Sequence, residues 1–141
     1  MAGMSGGLRV VVLLAAAAGP LVAAGCGSKG GDANDPDVMR RRADLSDIFD
    51  MYTMFIKRNQ KPPQRVADLA QKNNQTLTPM AAQGLQSEEY VVIWGAEVTG
   101  KENSVLAYHK SVPAEGGMVL LRNGTIKHMT ADEFKAAPKD K

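Results

Sequence analysis

The sequence contains few of the residues that form covalent cross-links or metal sites. Its 141 residues include one cysteine and two histidines, with three phenylalanines, three tyrosines and one tryptophan. A single cysteine excludes a disulfide within the chain, so the fold depends on its core alone. The histidines, His109 and His128, each stand beside a lysine in a predicted strand. Zinc sites need several converging ligands, so we expect both histidines to be exposed sheet residues and expect no metal.

Neither sign of charge dominates, since 17 lysines and arginines face 15 acidic residues. A nucleic-acid-binding domain would show a basic patch or stripe, so we expect no nucleic-acid partner. The chain has no G-x-S-x-G elbow and no phosphate-binding glycine loop. Glu88 and Glu89 are adjacent and would point to opposite faces of a strand, while Asp44, Asp47 and Asp50 suit a solvated helix face. We therefore expect no catalytic residue, no cofactor and no evident small-molecule substrate, and hence no enzyme.

The first residues have the composition of an export signal. Residues 1–9 carry Arg9 and no acid, and residues 10–24 carry no charge at all. A basic start followed by a short apolar run is typical of a signal peptide. The run is shorter than the roughly 20 apolar residues that a membrane span needs.

Small residues stand directly before the single cysteine, in the order Ala23, Ala24, Gly25, Cys26. This arrangement resembles the lipobox of bacterial lipoproteins. The resemblance implies that residues 1–25 are a removed signal and that Cys26 carries fatty acyl groups, of which two or more anchor a protein stably. It also implies a periplasm-facing place in the cell envelope, and Gly27 favours the outer membrane over the inner. The alternative is an ordinary secretory signal that leaves a free thiol.

Residues 26–36 are rich in glycine, aspartate and asparagine and are predicted to form a flexible tether. A helix is then predicted over residues 38–58, where apolar side chains recur at helical spacing. The apolar stripe consists of Leu45, Ile48, Phe49, Tyr52, Phe55 and Ile56. Two prolines in the following "NQKPPQ" end the helix.

Two features of this helix suggest contacts outside the domain. Met51 and Met54 lie off the apolar stripe, and flexible methionines on an exposed face suit an adaptable partner surface. Packing inside the domain explains them equally well. Arg40, Arg41 and Arg42 lie next to the tether, where they could contact anionic lipid headgroups; a solvated first turn is the alternative.

The second half of the chain is strand-like. Residues 89–95, 104–110 and the two sides of Asn123-Gly124 are predicted strands, with a two-residue type I′ turn at that pair. Thr130 and Glu133 form a predicted capping box that starts a short last helix. We expect an α+β fold with a long amphipathic N-terminal helix packed on a small antiparallel sheet of three to four strands. The predicted domain covers residues 37–137, and residues 138–141 are a polar tail.

The order of elements resembles the soluble part of type IV pilins and type II secretion pseudopilins. The segment "LSDIFDMYTMFIKRNQKPPQRVADLAQ" and the later "WG", "AYHK" and "NGTI" stretches carry this resemblance. It implies a lipid-anchored, non-catalytic binding or scaffolding module with an envelope protein as partner. Removal of the apolar segment argues against a role in filaments. The alternative is an envelope enzyme or a small-ligand-binding lipoprotein whose site the sequence hides.

Overall fold

A computed structural model describes residues 34–70, 77–99 and 103–139 of the chain. The signal, Cys26 and most of the tether lie outside the described residues, so those assignments stay predictions. The described part is an α+β fold, as expected. Its helices are α1 (Pro36–Asn59), α2 (Val66–Leu69), α3 (Pro79–Gln86), α4 (Val112–Glu115) and α5 (Ala131–Ala136), and its strands are β1 (Tyr90–Val92), β2 (Val105–His109), β3 (Gly117–Leu121) and β4 (Ile126–Met129).

The residues on either side of α1 determine where the helix begins and ends. The Asp35 carboxylate accepts a hydrogen bond from the Asp37 backbone N–H at 2.9 Å, and Pro36 occupies the first turn, where it needs no hydrogen-bond donor. At the other end Gln60 adopts a left-handed backbone with φ of 55°. The helix therefore stops just before Pro62 and Pro63, which could not extend it.

The four strands form an antiparallel meander in the order β1-β2-β3-β4. The register between β2 and β3 shifts between Val105 and Ala107, so Leu106 is an extra residue in a bulge. A bulge changes which face of the sheet the side chains on either side of it point to. Leu106 and Ala107 consequently both contribute to the core on the α1 side, while Val105 contributes to the core on the opposite side.

The β3–β4 hairpin exists, but its predicted two-residue turn is wrong. Gly124 has φ of 83°, whereas Asn123 does not have the positive φ that a type I′ turn needs. The Gly124 N–H bonds to the Leu121 carbonyl, and the Leu121 N–H bonds to the Thr125 carbonyl. This is a three-residue loop, in which the Asn123 side chain accepts the Thr125 N–H at 2.9 Å. That local hydrogen bond favours the longer turn.

Both faces of the sheet are covered. The larger core lies between the sheet and α1, where Leu45, Ile48 and Tyr52 are fully buried and the other three members of the predicted stripe, Phe49, Phe55 and Ile56, are partly buried. A smaller core on the other face holds Val105, Val112, Val119, Leu121, Met129 and Phe134. Helices α4 and α5 cover this second face, and the sequence had predicted no helix at α4.

Helix α1 packs on the sheet only in part, because α2 and α3 also pack against it. This second set of neighbours buries residues beyond the apolar stripe. Met51 is 2% exposed and Asp44 is 6% exposed. Of the two alternatives for Met51, packing inside the domain is therefore the one observed, and the predicted solvation of Asp44 is wrong.

Candidate binding groove

A groove runs between the first three turns of α1 and the β3–β4 hairpin. It consists of two adjoining cavities of about 660 and 440 Å³ that share Val38 and Met118. We call it the N-terminal groove. The first cavity is lined by Val38, Met39, Arg42, Ala43, Ser46, Met118, Gly124, Thr125 and Ile126, and the second by Val38, Arg41, Glu115, Gly116, Gly117, Met118 and His128.

Local backbone structure places the walls of this groove. Met118 and His128 are direct partners across β3 and β4, so they lie on the same face of the sheet. Strand β4 is an edge strand, which leaves this side of the sheet accessible. Near the turn, a Cβ on Gly124 would come within 2.8 Å of the Phe49 ring. The absence of a side chain there allows α1 to approach the hairpin closely at one end of the groove.

The groove combines apolar side chains with two arginines and one carboxylate, that of Glu115. Arg41 and Arg42 line it, and Arg40 precedes them in the same turn. Within the described part of the chain, ion pairs join Arg65 to Asp68 and Lys135 to Asp132, and none includes Arg40, Arg41 or Arg42. The Nε atom of Arg41 is buried and has no hydrogen-bond acceptor among the described residues. Arg40 and Arg42 are exposed, so their guanidinium groups are accessible to an anion.

A buried polar pair fixes α1 to the start of the sheet beside this groove. The Tyr90 hydroxyl donates a hydrogen bond of 2.7 Å to the Asp44 carboxylate. Burial raises the pKa of Tyr90, and the hydrogen bond to Asp44 and the charge of Asp44 raise it further. The ring of Tyr90 also lies against Gly84, where a Cβ would come within 2.8 Å of it. Gly84 lies inside α3, where its lack of a side chain admits this ring.

His109 contacts the same tyrosine. The two rings meet edge to face with centroids 5.6 Å apart, so His109 is half-buried and the prediction of an exposed residue is wrong. Its Nδ1 accepts the Ser111 backbone N–H at 3.2 Å and lies 2.9 Å from the Ser111 hydroxyl oxygen. Burial lowers the pKa of His109, and the nearby charge of Arg41 lowers it further. Asp44 is thus bonded to Tyr90 at the start of β1, and His109 is bonded to Ser111 directly after β2. Both polar groups hold neighbouring elements in place.

The predicted site residues fall in three different environments. Cys26 lies outside the described residues. Met51 lies in the core, whereas Met54 is 36% exposed on α1; the partner face proposed from sequence is thus reduced to Met54, where it stays a prediction. Arg40 and Arg42 are exposed and Arg41 is half-buried. Contact of these arginines with lipid headgroups likewise stays a prediction.

Sequence reasoning missed the opposite wall of the groove. Met118, Ile126 and His128 were assigned to strands without any binding role. The signal that could have indicated them was the hairpin itself, since opposed positions on one face lie about 4.5–5.5 Å apart. The hairpin pattern does not predict that α1 lies above that face of the sheet.

Within residues 34–70, 77–99 and 103–139, no three histidine, cysteine or acidic side chains converge on a metal position. No helix in those ranges is long and apolar enough to cross a membrane. Neither a protein-family model, nor a curated protein, nor a solved structure matches the chain.

Proposed function

We propose that this chain is a bacterial lipoprotein of the cell envelope whose folded domain is a non-catalytic binding module. The order of residues 1–26 supports the anchor: a basic start, an apolar run, and Ala23, Ala24 and Gly25 before Cys26. Acylation at Cys26 would attach the mature chain to a membrane through its first residue. Gly27 favours the outer membrane, with the domain facing the periplasm.

The observation that carries the binding role is the N-terminal groove. Its apolar walls, Val38, Met118 and Ile126, adjoin guanidinium groups that have no ion-pair partner in the described chain. A surface of this kind suits a ligand with both apolar and anionic parts. The helix that forms one wall continues directly from the tether.

The order of helix and strands also supports a pilin-like module. A long α1 laid against a four-stranded antiparallel meander resembles the arrangement in pilins and pseudopilins. In those proteins the apolar N-terminal segment is retained and drives assembly. Here the proposed cleavage before Cys26 would remove that segment, so we propose scaffolding or binding in the envelope instead of filament formation.

The test of the anchor is metabolic labelling with an alkyne fatty acid in the native host, followed by membrane fractionation. The parent chain should be labelled and should stay with membranes after a high-salt wash. Cys26→Ser should abolish the label and release or misprocess the protein, whereas the neighbouring Ser28→Ala should change neither. A Cys26→Ser variant that keeps the label or stays fully membrane-bound after the wash would overturn the lipoprotein assignment.

The binding role is tested by purifying the acylated protein from its envelope with and without a change in the groove. Ile126→Gln alters a partly buried groove residue, and Val98→Gln is a matched change outside it. A ligand or partner retained by the parent and by the Val98 variant, but lost with the Ile126 variant at unchanged melting temperature, supports the module. Equal recovery in all three contradicts a role for the groove.

A further inference from the structure

The second turn of α1 carries three adjacent positive charges. Arg40, Arg41 and Arg42 follow one another directly along the helix, so their like charges repel one another. Asp37 in the first turn offsets only part of this charge. No ion pair among the described residues neutralises the three guanidinium groups. An anion bound at the exposed guanidinium groups of Arg40 and Arg42 would offset the repulsion among these charges.

An exposed methionine directly precedes the three arginines. Met39 is 58% exposed, and its side chain lines the N-terminal groove together with Met118 and Ile126. Phosphate groups alone would satisfy arginines but would leave this apolar surface in water. A membrane interface presents both chemistries together, because phosphates lie directly above glycerol and acyl chains.

The length of the tether places this end of the domain near the proposed anchor. The chain from Cys26 to Pro36 spans at most about 33–36 Å even when fully extended. The opposite end of α1 lies a further 36 Å or so away, since the helix has 24 residues at about 1.5 Å each. The first two turns of α1, which include the arginines, are therefore the part of the helix closest along the chain to the proposed lipid attachment.

We propose that Arg40, Arg41, Arg42 and Met39 dock the domain onto the anionic phospholipid surface to which the chain is anchored. This inference rests on the proposed lipid anchor. Docking would hold α1 with its first turns at the headgroups and with its exposed last turns, including Lys57 and Arg58, directed away. The domain would then have a fixed orientation relative to the membrane.

Methionine methyl NMR of the acylated mature protein in nanodiscs tests this orientation. The discs contain phosphatidylcholine alone or an equal mixture with phosphatidylglycerol, each with a trace of lipid that is spin-labelled at the headgroup. In the anionic discs, the Met39 methyl should broaden several times more than the Met54 methyl, which is 36% exposed and lies fifteen residues further along α1. In neutral discs the difference should be much smaller.

Two charge-neutralised variants separate docking from general attraction. Arg40→Gln with Arg42→Gln should reduce the docked population, by about fivefold per arginine, which corresponds to about 1 kcal/mol each. Lys57→Gln with Arg58→Gln removes the same charge from the far end of α1 and should leave Met39 broadening unchanged. Equal broadening at Met39 and Met54, or equal effects of the two variants, would overturn the docking proposal.

The same experiment distinguishes the two proposals. If the protein fails to remain with either type of disc, the lipid anchor is wrong, and docking at the anchor is overturned with it. If it remains with both types but shows no preference for anionic lipid at Met39, the anchor stands and the docking proposal fails. Preferential broadening that is abolished by added envelope protein, at unchanged lipid composition, would assign the arginines to a protein partner instead.

Discussion

The two faces of the sheet are stabilised by contacts of very different sequence separation. On the α1 face, Tyr90 bonds to Asp44 and Tyr52 bonds to the Ala96 carbonyl, at separations of 46 and 44 residues. On the other face, the contacting side chains come from residues 105–139. The second face is thus assembled from neighbouring segments of chain, whereas the first requires closure of long loops, which costs entropy.

This difference places the groove on the face that depends on distant contacts. The hairpin wall of the groove belongs to the locally assembled half, and the α1 wall is held in place by the distant pairs. A change that loosens α1 should alter the groove, while a change on the other face should alter mainly stability. Four predictions, each built on one or two substitutions, break or sharpen this comparison.

The largest effect is expected on the second face. Phe134 is buried there, with its ring centroid 4.6 Å from that of Tyr108 and with Lys139 Nζ 4.4 Å from its centre. Phe134→Ala should lower the free energy of unfolding by about 3–5 kcal/mol, measured by denaturant titration. The Val105 amide bonds to the Pro138 carbonyl. In hydrogen exchange, this amide should lose its protection earlier than the amides of α1. Equal loss in α1 would show that both faces unfold as one unit.

The next effect distinguishes two methionines on α1. Met51→Ala removes a side chain that is 2% exposed in the larger core and should cost about 2–5 kcal/mol. Met54→Ala should change the free energy of unfolding by no more than about 0.5 kcal/mol, because its side chain is exposed. Similar costs for both in thermal or denaturant melting would contradict the burial of Met51.

A smaller effect is expected from one hydroxyl group. Tyr90→Phe leaves the Asp44 carboxylate buried without its 2.7 Å donor, which should cost about 1–3 kcal/mol. Tyr108→Phe, on the other face, keeps the ring that packs on Phe134 and should cost far less. The two variants have the same change in composition, so their difference in denaturation midpoint isolates the distant hydrogen bond. If the Tyr90 variant is as stable as the Tyr108 variant, the hydrogen bond from Tyr90 to Asp44 does not stabilise the fold.

The smallest effect is a dependence on pH. Burial lowers the pKa of His109 below its usual value of 6.5 in the folded state. The unfolded chain therefore binds a proton first as the pH falls, so stability should decline from near pH 6.5 down to the folded pKa and then level off. His109→Gln should flatten this part of the curve of unfolding free energy against pH. An unchanged slope would show that His109 is not the group responsible.

Sequence patterns predicted the elements that depend on neighbouring residues. The helix predicted over residues 38–58 exists as α1, with Asp35 as its cap, and the Thr130 hydroxyl and Glu133 carboxylate form the expected capping box before α5. The hairpin was located correctly, but its turn type was not, because one side-chain hydrogen bond from Asn123 favoured the longer loop. The three arginines were identified as a basic cluster from sequence, whereas the groove beside them was not.

The sequence by itself determined the α+β order, the limits of α1 and the amphipathic stripe, because caps, prolines and helical spacing act over a few residues. Only the tertiary structure decided which methionine of α1 is buried, that Asp44 lies inside, and that Met118 and His128 face the arginine-bearing turns. Those outcomes depend on the packing of α2 and α3 beside α1 and on the bulge at Leu106. No spacing along the chain encodes them, since they arise from which surfaces meet when distant segments pack together.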